Sequence, residues 1–133
     1  MSTEKIEELL EKPYWIIDIL PEQVPADSAG QYFAVEEYFR RQPETKQKKI
    51  NVILKLNCYE DVFLCEDEVM NPEPDRIDEI IRNDYCNFLV RDALITSDPE
   101  DTYMTVFDPD EELLYLIREI AVSEGLYVWQ PEE

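Results

Sequence analysis

Residues 50–59 read INVILKLNCY, and the expected fold turns on how this stretch is read. Ile50, Val52, Leu54, Leu56 and Cys58 alternate with Asn51, Lys55 and Asn57, while Ile53 and Tyr59 fall between them. A period of two puts the first set on one face of an extended chain. The stretch is therefore expected to be a strand in a sheet with one side less buried. The preceding residues 42–49, QPETKQKK, read as a polar connector.

Downstream, residues 62–65 read as a short further strand. Asn71-Pro72-Glu73-Pro74 introduces a helix to about residue 84, with Ile77, Ile80 and Ile81 as its apolar stripe. Residues 87–96 and 103–107 read as two strands, and the polar SDPEDT link between them predicts an antiparallel hairpin. Asp108 is then expected to cap a helix with Pro109 at its first position and Asp110, Glu111 and Glu112 in its first turn. Leu113, Leu114, Ile117, Ile120 and Ala121 face its core side, Gly125 ends it, and residues 126–130 form a last short strand.

Upstream, Ser2 or Thr3 caps a helix over residues 3–11, with Ile6, Leu9 and Leu10 as its stripe and Pro13 as its stop. Residues 14–20, YWIIDIL, read as a largely buried strand. Pro21 and Pro25 mark an extended loop. Ser28 with Gln31 has the capping-box spacing and opens a helix over 30–41, with Tyr32, Val35 and Phe39 along one side. The order predicts an α+β (or α/β) class, a mixed sheet of about five strands covered by about four helices. At 133 residues, 1–133 read as a single globular domain.

Charge and missing residue types bound the function. The chain carries 32 acidic and 12 basic residues, a formal net charge of −20. That disfavours direct contact with DNA, RNA or an anionic membrane and favours a basic protein partner. There is no histidine, which excludes Ser-His-Asp and Cys-His catalysis and His-ligated metal sites. Two glycines, Gly30 and Gly125, build neither a Walker A loop nor a GxGxxG turn. No cofactor or metal is called for. No stretch has the length of a membrane span, and the acidic, amphipathic N-terminal residues do not read as a signal peptide. Cys58, Cys65 and Cys86 are odd in number and lie in hydrophobic segments. They read as reduced, buried thiols of a cytoplasmic protein.

Candidate site residues are acids and aromatics. Glu36, Glu37 and Tyr38, and the helix start Asp108, Asp110, Glu111 and Glu112, are the candidate contacts for a basic partner. Asp18 inside YWIIDIL and Asp92 inside FLVRDALI are possible buried acids. The runs Glu66-Asp67-Glu68 and Asp98-Pro99-Glu100-Asp101 lack the spacing of a calcium loop and read as turns and caps. Five basic residues against one acid give residues 40–49 a net of +4, read as a solvated stretch that neutralises nearby acids. Tyr32, Tyr38, Tyr59, Tyr103, Tyr127 and Trp129 are candidate anchors.

The stretch PYWIIDILPEQVPADSAGQYFAVEEYF at 13–39, with EDTYMTVFDPDEELL and EGLYVW, resembles a family of small acidic uncharacterised bacterial proteins, to which no activity attaches. In size, charge and mixed architecture the chain also looks like acidic immunity proteins and toxin inhibitors. The leading expectation is a non-catalytic domain that binds a basic protein. The alternatives are a carboxylate- or divalent-metal-dependent enzyme with Asp18 or Asp92 in a concave pocket, and a homo-oligomeric accessory protein.

Overall fold

A computed structural model describes residues 3–131. In chain order the helices are α1 (Thr3–Leu9), α2 (Ala29–Arg40), α3 (Pro43–Asn57), α4 (Pro74–Asn83) and α5 (Glu111–Ser123). The strands are β1 (Tyr14–Asp18), β2 (Val62–Leu64), β3 (Val69–Met70), β4 (Cys86–Val90), β5 (Ala93–Ser97), β6 (Met104–Phe107) and β7 (Tyr127–Trp129). The strands form one antiparallel sheet in the order β3-β2-β4-β5-β6-β1-β7. The class is α+β, but the sheet is antiparallel throughout rather than mixed, with seven strands and five helices among the described residues against the expected five and four.

The largest correction concerns residues 50–59. Residues 50–57 are the second half of α3 and 58–59 the turn after it, not a strand, and the expected connector 42–49 supplies the N-cap residue and first half of this helix. Its buried residues are Thr45, Lys49, Ile50, Val52, Ile53 and Leu56, a spacing of three and four that follows one helical face. A strand would have sent Ile53 to the wetter side. The helix buries it beside Ile50 and Leu56 and turns Lys55 and Cys58 outward. Propensity differences of under about 1 kcal/mol per residue are small beside roughly 1.5–3 kcal/mol for each fully buried aliphatic side chain. Pro43 at the first turn, Glu44 beside it and Lys55 in the last turn are the start and dipole signals of a helix.

Residues 87–96 are not one strand but most of the β4–β5 hairpin. Val90 pairs with Ala93, so Arg91 and Asp92 are a two-residue turn, and Arg91 takes φ 55° as such tight turns require. The expected link between β5 and β6 is present, with Ser97 opposite Met104. β3 was not expected at all.

Caps also differ. Ser2 lies outside the described residues. The Ser28 hydroxyl donates to the Pro25 carbonyl at 2.8 Å and caps nothing in α2. Asp110, not Asp108, caps α5, its carboxylate accepting from the Leu113 N–H at 2.8 Å. Asp108 instead sits at φ 57° in the turn before it. Gly125 follows α5 at φ 73°, with Leu126 N–H returning to the Ala121 carbonyl.

One face of the sheet carries the main core. Ile17, Phe88, Ile95, Met104 and Val106 pack there against Ile53 and Leu56 of α3, Ile77 and Ile81 of α4, and Ile117 of α5. On the other face α1 seats Leu9 and Ile6 on Leu89 and Leu94, with Phe63 and Phe107 alongside. No helix among the described residues is long and apolar enough to cross a membrane.

Candidate functional site

Side chains alternate along β1. Trp15 and Ile17 join the helix-covered core, which leaves Tyr14, Ile16 and Asp18 on the second face. Ile16 stands between Thr105 of β6 and Trp129 of β7. Here the sheet floors a cavity of about 430 Å³. Tyr14, Ile16, Asp18, Thr105, Phe107 and Trp129 line it from the strands. Tyr103 enters from the β5–β6 link, Tyr32 from α2, and Leu20, Glu22 and Val24 from the loop after β1. Phe107 belongs both to this wall and to the cluster under α1, so the cavity begins where α1 ends its cover.

Asp18 is the one acidic side chain buried to this depth among the described residues, at 3% exposure. Its Oδ1 accepts the Ile19 N–H at 2.7 Å. Burial pushes its carboxyl up to about 6, the Glu36 charge adds to the rise, and the N–H groups of Ile19 and Leu20 work against it. The Trp129 indole also reaches toward the carboxyl and lowers it a little. Its Nε1 falls short of a formed hydrogen bond and is a buried donor without a partner. No lysine or arginine lines the cavity among the described residues. The expectation that Asp18 is buried is met.

Tyr32 donates its hydroxyl to Glu36 Oε2 at 2.9 Å. Burial first, and this bond second, push its phenol well above the usual tyrosine range. Tyr103 is raised by burial and then by the charges of Asp101, Glu36 and Asp18. The cavity is thus aromatic in its walls and negative in its field.

The other expected site residues distribute differently. Asp92 is exposed on the β4–β5 turn, not buried. Glu37 pairs with Arg40, and Tyr38 is exposed with its ring edge-on to Phe39. Asp110 pairs with Arg91 at 2.8 Å, and Glu112 and Glu60 approach the same guanidinium at 3.6 and 3.7 Å. Glu111 and Asp108 are exposed. The two candidate patches do not meet. Asp108 follows Phe107, opposite Tyr14 at the start of β1, whereas α2 follows the end of β1 and ties Arg40 to Glu100 in the β5–β6 link.

The acid runs have local duties. Glu66 takes the Asn87 N–H and Nδ2, each at 2.8 Å. Asp67 holds Arg76 through two bonds. Asp98 accepts the Glu100 N–H at 2.9 Å. No group of three or more acid, cysteine or histidine side chains able to hold a metal occurs among the described residues.

Two expectations about the remaining residues are corrected. Residues 40–49 are not simply a solvated stretch: Lys49 is buried, and Lys46 Nζ donates to the Arg82 carbonyl at the end of α4, at 3.0 Å. Of the cysteines only Cys86 is fully buried, and Cys58 is exposed. Among the candidate anchors Tyr32, Tyr103 and Trp129 reach the cavity, while Tyr59 and Tyr127 are exposed elsewhere. Tyr14 and Phe107 were missed as site residues. The alternation of Tyr14, Ile16 and Asp18, and of Tyr103, Thr105 and Phe107, is the signal that places them together.

No family model, curated protein or solved structure matches the chain.

Proposed function

We propose that this protein is a non-catalytic binding domain for a basic protein partner, of the inhibitor or adaptor kind, with α2 as its docking element. The observation that carries this is the surface of α2. Phe33 is 63% and Tyr38 54% exposed, with Val35 and Phe39 also exposed, on a chain of net charge −20. Val35, Tyr38 and Phe39 share one side of the helix by their spacing. Exposed aromatics supply anchors, with Glu36 and Glu37 beside Tyr38, and the overall negative charge steers a basic protein toward the chain. A second copy of the chain is a poor occupant, since each brings the same −20 to the contact. Unpaired cysteines, one of them exposed, suit a reducing compartment such as the cytoplasm.

The test is affinity capture from a nuclease-treated lysate at low and high salt, with wild type and Tyr38→Asp in parallel. One basic protein, retained in near-equal amount, shed by salt and lost with Tyr38→Asp, supports the proposal. With that partner purified, Glu36→Gln together with Glu37→Gln slows association and flattens its salt dependence. Equal capture by Tyr38→Asp, or a stable homo-oligomer in light scattering, overturns it.

A carboxylate enzyme is the second reading, favoured by Asp18 in the cavity with its carboxyl raised toward the working range of a general base. Stoichiometric, tight binding of magnesium, manganese or calcium in calorimetry would favour it over the first, and only weak, nonspecific binding would count against it.

A further inference from the structure

We infer that the aromatic cavity on the second face of the sheet is a binding site for an alkylammonium group, with Asp18 as its counter-ion and the rings of Tyr14, Tyr32, Tyr103, Phe107 and Trp129 as its cage. The cavity takes Tyr32 and the Glu36 charge from α2, but its assignment rests on the cavity lining and stands whether or not α2 docks a partner.

Charge is the first selector of a ligand here. Asp18 is almost fully buried and has no cationic partner among the described residues. A buried carboxylate without a counter-charge is costly, and proteins pair such groups or use them. The elements around it add more negative charge. Glu36 on α2 acts on Asp18 directly, Asp101 in the β5–β6 link acts on Tyr103, and Glu22 lines the loop wall. An anionic ligand would be repelled, and a neutral one would leave Asp18 unpaired. A cation satisfies it.

The lining then selects the kind of cation. A small hydrated metal ion needs several oxygen ligands, and this cavity offers one buried carboxylate among rings. Five aromatic side chains instead suit an organic cation, whose diffuse positive surface is attracted to ring faces while its alkyl part is desolvated. An ammonium N–H can donate to the free oxygen lone pairs of Asp18. The unpartnered Trp129 indole N–H offers a donor for an acceptor atom next to the ammonium. The volume of about 430 Å³ accommodates a small amine or the end of a lysine side chain, so the source is either a free amine or a lysine, plain or methylated, of a polypeptide.

The test uses the whole protein labelled with nitrogen-15 and follows the indole N–H signal of Trp129, assigned by Trp129→Phe. The probes are n-butylammonium, its trimethylated form, n-butanol and butyrate. The ammonium probes are expected to shift the Trp129 signal saturably, and the alcohol and the anion are not. Asp18→Asn is expected to weaken the ammonium probes about tenfold or more. Carbon-13 titration of the Asp18 carboxyl, with and without probe, gives a reading that needs no variant: bound ammonium lowers its midpoint. A blocked peptide with one lysine, and the same peptide trimethylated, separate the sources. Tighter binding of a peptide than of the free amine assigns a polypeptide ligand, and the reverse assigns a small molecule. No saturable shift, an equal response to butanol and butyrate, or an unmoved Asp18 midpoint overturns the assignment.

Discussion

Lys49 Nζ donates to the main-chain oxygen of Asp98 at 2.9 Å, across 49 positions of sequence. The same ammonium reaches the Asp101 carbonyl at 3.2 Å. A cation that reads as surface charge in the sequence thus ties α3 to the link between β5 and β6, at 1% exposure. Burial lowers its pKa to about 8, against opposing attraction from Asp101.

The unfolded lysine holds its proton up to about 10.5 and the folded one only to about 8. Between those values the unfolded state binds more protons, so stability gains with rising pH. Urea unfolding of wild type and Lys49→Met is expected to show the difference moving in favour of wild type by about 3 kcal/mol between pH 7 and pH 10.5. A difference that does not change with pH would show that the ammonium is solvated.

Asp18 behaves in the opposite range. Its carboxyl lies at about 6 in the folded protein against 3.8 unfolded, so the folded state holds the proton more tightly. Stability therefore falls as pH rises through about 4 to 6, and the ionised group works against folding by about 3 kcal/mol at neutral pH. Asp18→Asn is expected to be more stable than wild type at pH 7.5 by about 1–3 kcal/mol, because the asparagine oxygen still accepts from Ile19. That advantage disappears by pH 4. Equal stabilities at both pH values would contradict the burial of an uncompensated charge.

Ile53 discriminates the helix from the strand reading of residues 50–59. It is fully buried in the main core, so Ile53→Ala is expected to cost about 2–5 kcal/mol in urea unfolding. Cys58, which the alternating pattern put on the buried side, is exposed, and Cys58→Ser is expected to stay within about 0.5 kcal/mol of wild type. A large loss at Cys58 with none at Ile53 would restore the strand.

Thiol reactivity reads the same elements from another side. Cys58 is exposed, whereas burial pushes the Cys65 and Cys86 thiols up to about 11 and about 12. Ellman's reagent at pH 8 is expected to take the Cys58 thiol quickly, the half-buried Cys65 thiol slowly, and the Cys86 thiol only as the protein unfolds. Cys58→Ser removes the fast phase. Fast reaction of that variant would mean that Cys65 or Cys86 is open to solvent.

Local signals carried most elements because their physics is local. Pro13 stops α1, the Asn71–Pro74 stretch introduces α4, the alternation in residues 103–107 marks β6, and Gly125 supplies the left-handed residue after α5. The acidic balance, the absence of histidine and the scarcity of glycine are likewise properties of the sequence alone. Those features determined the α+β class and the chemistries the chain does without. Tertiary structure decided the rest. INVILKLNCY satisfies a period of two and a period of 3.6 at once, and only the surrounding apolar surface selects the helix that buries Ile50, Ile53 and Leu56 together. The cavity was equally beyond local reading. Tyr14, Asp18, Tyr32, Tyr103 and Trp129 are spread over more than a hundred residues and become neighbours only when β1 takes its place between β6 and β7. Burial is a property of that assembly. The same aspartate in an exposed strand would be an ordinary solvated charge, and here it is a buried carboxylate without a cationic partner among the described residues.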